Sequence, residues 1–182
     1  MSALLWSLLA ALLRVAWLRA VPPVAAWDGV IYERTASRIA QGMGFVDTYN
    51  NIPPFLPTAF YPVGYPGLLA LAHMVLGPGL WVAGALNVLA AAITTAAIFD
   101  LSRRAWGKPA AHLSAALYAL SPGAVLYTST LMTETVSAAL LVVALALAEA
   151  FSRGRPARFA LSAGLIFGVA GVGKTTLAAA YA

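Results

Sequence analysis

The chain has 182 residues, of which 62% are hydrophobic and only 9% charged, with a mean hydropathy of +0.84 and a net charge of +5. A water-soluble domain carries about 25% charged residues, so there is too little polar side chain here to coat a soluble surface, and that class is excluded. The basic excess sits mostly in two short loops between apolar runs, the pattern of a membrane protein, which argues against a nucleic-acid partner.

Leu4 to Ala20 is the first apolar run. Val24, Ala25 and Ala26 would suit a signal-peptide cleavage site, but no Lys or Arg precedes the run, and Arg14 and Arg19 interrupt it. It reads as a retained helix, with both arginines snorkelling or facing other helices. Residues 21–79 differ in kind, carrying eight of the eleven prolines and three of the six acids. Within them, Trp27 to Gln41 is predicted as an amphipathic helix, with Val30, Ala36, Ile39 and Ala40 opposed to Glu33, Arg34, Ser37 and Arg38. Gly42 and Gly44 would stop it. Gly67 to Gly77 is apolar but too short to span, and reads as an interfacial or re-entrant helix.

Four longer runs follow, at about 80–101, 109–127, 131–151 and 159–182, each predicted to cross once. The loop with Arg103, Arg104 and Lys108 and the loop with Arg153, Arg155 and Arg158 are separated by two crossings. They therefore share a side, and their charge makes it cytoplasmic. Residues 21–79 and the turn around Thr128 to Glu134 then fall outside. The expected fold is all-α, a polytopic transmembrane helix bundle with interfacial helices in its first outer loop. The last run reaches the terminus without a loop or cap, so the chain reads as part of a larger bundle.

Few residues suggest chemistry. Asp28 opens the amphipathic helix, where a carboxylate at the membrane surface could take a proton from an acceptor hydroxyl. Tyr32 and Ala36 follow at one-turn intervals and share its face. The plainer alternative is that Asp28 only caps the helix. Glu134 stands at the outer end of a later run, as a functional acid or as an ordinary acid at a helix N-terminus. Asn87, inside an apolar run, must find partners and reads as an interhelical bond. His73 and His112 show no metal-ligand spacing and read as structural or interfacial. With no cysteine, disulfides and thiolate sites are excluded. No organic cofactor is implied, and a divalent metal is left open.

Gly168, Gly173, Lys174 and Thr175 satisfy the P-loop pattern G-x-x-x-x-G-K-[ST]. A P-loop needs a strand before it and a magnesium-binding acid beyond, and no such acid follows. The topology also carries Lys174 some fifteen residues outward from Phe159, roughly 20 Å into the bilayer. A chance match in a Gly/Ala-rich helix is preferred, with a membrane-tethered nucleotide-binding protein and a noncatalytic bundle as alternatives.

The chain resembles the family 39 glycosyltransferases of the GT-C fold. Asp28, Tyr32 and Ala36 followed by Gly42, Met43, Gly44 and Phe45 are similar to the family's first-loop pattern. The run Phe60-Tyr61-Pro62-Val63-Gly64-Tyr65-Pro66-Gly67-Leu68-Leu69-Ala70 resembles its aromatic-proline segment. Asn87, the Arg103–Gly107 basic loop, Ser121-Pro122 followed by Thr133-Glu134, and Ala163 to Ala170 match in order. The resemblance implies sugar transfer from a polyprenyl-phosphate donor to an acceptor of unknown identity on the extracytoplasmic face of a bacterial inner membrane. It makes Asp28 the candidate catalytic base and puts Tyr32, Arg34, Glu134 and Lys174 at the substrate, with Lys174 on the donor phosphate. Gly29 departs from the pattern, standing where many members carry a second acid. Thr175 likewise replaces an expected proline. Members run to several hundred residues, so the chain reads as an N-terminal part.

Overall fold

The computed structural model describes residues 2–46, 57 and 61–173. They form eight α-helices: α1 (Ala3–Ala20), α2 (Asp28–Ala40), α3 (Gly64–Leu76), α4 (Leu80–Trp106), α5 (Lys108–Leu120), α6 (Pro122–Leu126), α7 (Glu134–Ser152) and α8 (Arg158–Gly173). A single 3-10 turn, Tyr127–Ser129, links α6 to α7. There is no strand among the described residues, only the isolated bridges Val24–Thr130 and Val46–Pro57. Helices α1, α4 and α7 are long and apolar enough to cross a membrane. Leu4, Leu12, Val75, Leu117 and Leu165 lie exposed on the outside of the bundle, which lipid tolerates and water would penalise. The chain is an integral membrane protein.

Without a hydrophobic driving force between helices in lipid, close packing depends on small residues. The interior follows that rule: Ala83, Ala90 and Ala139 lie in the larger core with Leu69, Val82 and Val136, and Ala111 and Ala115 pack with Phe99 in a second. Gly84 lets the end of α1 cross α4, since a Cβ there would sit 2.9 Å from Pro23 and 3.1 Å from Leu18. At the other end Ala3 and Trp6 pack beside Phe99. Helix α1 therefore runs antiparallel to α4, and the tight turn at Gly107 returns α5 alongside both. The hydroxyls of Thr94 and Thr95 donate back to the Ala90 and Ala91 carbonyls, 2.8 and 2.7 Å away, which satisfies them inside α4.

One predicted run is divided. The stretch 109–127 is not a single helix, because α5 ends at Leu120 and α6 restarts at Pro122. Proline has no N–H to donate to the Tyr118 carbonyl four residues back, and its ring disfavours helical backbone in the preceding residue. The Tyr118 carbonyl accepts the Ser121 N–H instead, and the end of α5 is also met by Arg14, which is fully buried. Its guanidinium donates to the carbonyls of Ala119 (3.3 Å), Tyr118 (3.5 Å) and Ala10 (3.1 Å) and lies over the Tyr118 ring. Arg14 thus faces a neighbouring helix rather than snorkelling, and the negative end of α5 offsets its charge. At 13 residues α5 is about 20 Å long, short of the roughly 30 Å hydrocarbon layer.

The P-loop alternative meets an unsuitable backbone. Residues 158–173 are one continuous helix, whereas phosphate cradling needs a glycine-rich loop between strand and helix. Lys174 and Thr175 lie outside the described residues.

Candidate functional site

The site begins with two loops that hold each other. Val24 N–H donates to the Ser129 carbonyl at 2.8 Å, and Leu131 N–H donates back to the Val24 carbonyl at 3.1 Å. Asn87 is buried on α4, and its amide donates to the carbonyls of Thr128 (3.1 Å) and Thr130 (3.0 Å). Trp17 on α1 adds a bond to the Ser129 hydroxyl at 3.1 Å. Irregular backbone at the edge of a bilayer has to be satisfied by protein, and these side chains do so. The bond expected of Asn87 is present, but its partner is a loop rather than another helix.

That paired backbone sets the start of α2. A Cβ on Gly29 would lie 2.3 Å from the Leu131 carbonyl oxygen, a distance no side chain tolerates. Gly29 is thus required by close approach, and a second acid cannot occupy this position on this backbone. Asp28 next to it is the first helical residue, with Trp27 in the capping position at φ 48° and no side-chain cap formed. The capping alternative for Asp28 fails here. Its carboxylate instead accepts a hydrogen bond from the Tyr61 hydroxyl at 3.2 Å.

Tyr32 sits one turn along α2, buried between two more tyrosines. Its ring meets Tyr61 and Tyr65 edge-on, with centroids 5.7 and 5.6 Å apart. Burial first, and then the negative charge of Asp28 and Glu134, push the Tyr32 phenol up to about 12. The Tyr65 phenol is pushed up too, by burial and then by Glu33, Tyr32 and Glu134. Both tyrosines therefore stay protonated donors at neutral pH. Asp28 and Glu134 thus both act on the Tyr32 phenol. Glu134 opens α7 and also lines a cleft of about 220 Å³ with Tyr118, Gly123 and Tyr127. An apolar cleft of about 280 Å³ runs along α4 and α7, lined by Leu68, Leu86, Leu89, Val136 and Leu140.

Other expectations divide. Arg34 is exposed, while the buried face of α2 is Gly29, Ile31, Tyr32, Thr35 and Ala36. Glu33, assigned by periodicity to the polar face, turns inward, and its carboxylate lies 3.7 Å from buried His73 on α3. His73 is structural as expected, in that it faces another helix. Lys174 lies outside the described residues. No group of three or more His, Cys, Asp or Glu residues gathers as a metal site among the described residues.

Sequence reasoning placed Tyr61 and Tyr65 inside a matching segment without giving either a role. The available signal was the four-residue repeat Tyr61-Pro62 and Tyr65-Pro66, with Tyr61 just before α3 and Tyr65 in its first turn.

The comparisons with known proteins agree with this architecture. A family model described as dolichyl-phosphate-mannose-protein mannosyltransferase matches residues 61–182. No curated protein and no solved structure matches the chain.

Proposed function

The chain belongs to the dolichyl-phosphate-mannose-protein mannosyltransferase family, whose members are membrane glycosyltransferases of the GT-C type, and on that premise we propose that it moves a sugar from a polyprenyl-phosphate donor to an acceptor hydroxyl, with Asp28 as the base. The observation that carries this reading is the Asp28 carboxylate, half-exposed beside the buried tyrosines and held by Tyr61 instead of capping its helix. A fixed carboxylate with one free edge can receive the acceptor's proton. The acceptor oxygen then bonds to the sugar's anomeric carbon, the bond from that carbon to the phosphate oxygen breaks, and polyprenyl phosphate departs with the electron pair.

Tyr32 keeps its proton throughout and hydrogen-bonds rather than titrates. Glu134 closes the far side of the cluster, Arg34 lies at the headgroup level, and Lys174 supplies the charge for the departing phosphate. The apolar cleft along α4 and α7 is of the right character for an isoprenoid tail. The charge of the basic loops supports putting the Asp28 end on the extracytoplasmic face of a bacterial inner membrane.

The test is transfer of radiolabelled sugar from a polyprenyl-phosphate donor in membranes carrying the chain. Asp28→Asn should lower transfer by about 10²–10⁴-fold, while the amount of folded protein stays the same. Undiminished transfer by that variant removes Asp28 as base but leaves the transferase reading standing. Exchange of Arg104 and Asp28 for cysteine, probed with an impermeant thiol reagent, checks the sidedness separately.

A further inference from the structure

At the end of the bundle opposite Asp28, a cleft of about 520 Å³ opens between the start of α1, the end of α4 and the start of α5. Its rim includes Ser2, Asp100, Arg103, Lys108 and His112, and the buried ring of Phe99 forms part of its floor. Asp100 bonds to both Arg103 and Arg104. One carboxylate cannot neutralise two guanidiniums, so with Lys108 the site keeps a net positive charge. His112 adds a defined donor. Its Nδ1 accepts from the Trp6 indole N–H at 2.9 Å, which leaves the hydrogen of the neutral ring on Nε2. Phe99 meets the same imidazole edge-on, with centroids 5.3 Å apart, fixing its plane.

We propose that this cleft binds the phosphate of an anionic phospholipid headgroup. Fork-like Arg103, mobile Lys108, the Nε2–H of His112 and the Ser2 hydroxyl are all donors, matching the acceptor-only surface of a phosphate diester. The first turns of α1 and α5 border the cleft, and neither contains an acid. The lipid tails would extend along the outside of the bundle, where Leu4 and Leu113 are exposed. A zwitterionic headgroup would bring its own ammonium beside Lys108 and be disfavoured. The site is separate from the proposed transfer chemistry and does not depend on it.

Basic loops attract anionic lipid wherever they lie, so the test compares charges inside and outside the cleft. The full chain in neutral detergent is incubated with equal phosphatidylglycerol and phosphatidylcholine, and bound lipid is counted by native mass spectrometry. Phosphatidylglycerol should be retained over phosphatidylcholine by about tenfold. K108Q should lower that retention about fivefold, and K108R should restore it. R155Q removes the same charge from the other basic loop and should leave retention unchanged. Equal losses in K108Q and R155Q, or no preference between the lipids, overturn the site. Displacement of the lipid by equimolar inorganic phosphate assigns the cleft to free phosphate and overturns the lipid reading.

Discussion

Asp28 accepts from Tyr61, 33 residues away along the chain, whereas Asp100 is held by Arg103 and Arg104, three and four residues along its own helix. The first acid is placed by α2, by the segment leading into α3 and by the 128–131 loop acting together. The second needs only one helix. A contact assembled from several elements depends on every one of them. The i,i+3 and i,i+4 pairs lie near the surface, remain partly exposed, and so contribute little to stability. The first end is therefore held by long-range contacts and the second by neighbours on one helix.

The sharpest way to break the assembled end is at Gly29. Gly29→Ala puts a methyl group against the Leu131 carbonyl and should destabilise the chain by about 1–3 kcal/mol, seen as earlier thermal unfolding in detergent. Donor-dependent transfer should fall with it, since Asp28 moves with the start of α2. Unchanged melting would mean that the loop yields, and that the close approach does not constrain this position.

An intermediate effect is expected from alkali. The Tyr32 phenol is raised in the folded chain from the ordinary 10 to about 12, so between those values the unfolded chain has lost this proton and the folded chain keeps it. The resulting stability is present below pH 10 and is lost as pH rises toward about 12. Melting temperature should drop across that window, and the drop should be shallower in Tyr32→Phe. A matching profile in the variant would assign the whole alkaline limb to other groups.

The smallest effect belongs to the locally paired end. Asp100→Asn should cost about 0–1 kcal/mol, because surface pairs of this kind rarely contribute more. A loss above that would show that Asp100 organises the basic end as strongly as Tyr61 and Gly29 organise the other.

Helical class, membrane insertion and most element positions were legible from residue order. The predicted helix over Trp27 to Gln41 corresponds to Asp28–Ala40, and the short run from Gly67 to Gly77 to Gly64–Leu76. These follow from apolar run length and from glycines and prolines acting within a few residues. Helical spacing brings Asp28 and Tyr32 to one face, but the approach of Glu134 was not legible in residue order, since 101 positions separate it from Glu33, whose charge acts with its own on Tyr65. Glu33 shows the limit of periodicity: its place on α2 is polar by pattern, yet α3 covers that face and brings His73 to it.

What this sequence determined by itself is therefore its solvent and its segments. Too few charges for water, apolar runs long enough for lipid, and two basic turns leave little choice of class. Tertiary structure alone decided the partners: Tyr61 for Asp28, the 128–130 carbonyls for Asn87, and the broken end of α5 for Arg14. Helix and span signals repeat within one turn or one run, so local order encodes them. Which side chain meets which across 33, 41 or 105 positions depends on how closely helices cross, and here that is governed by small residues such as Gly29 and Gly84 whose role is visible only once the backbones are side by side.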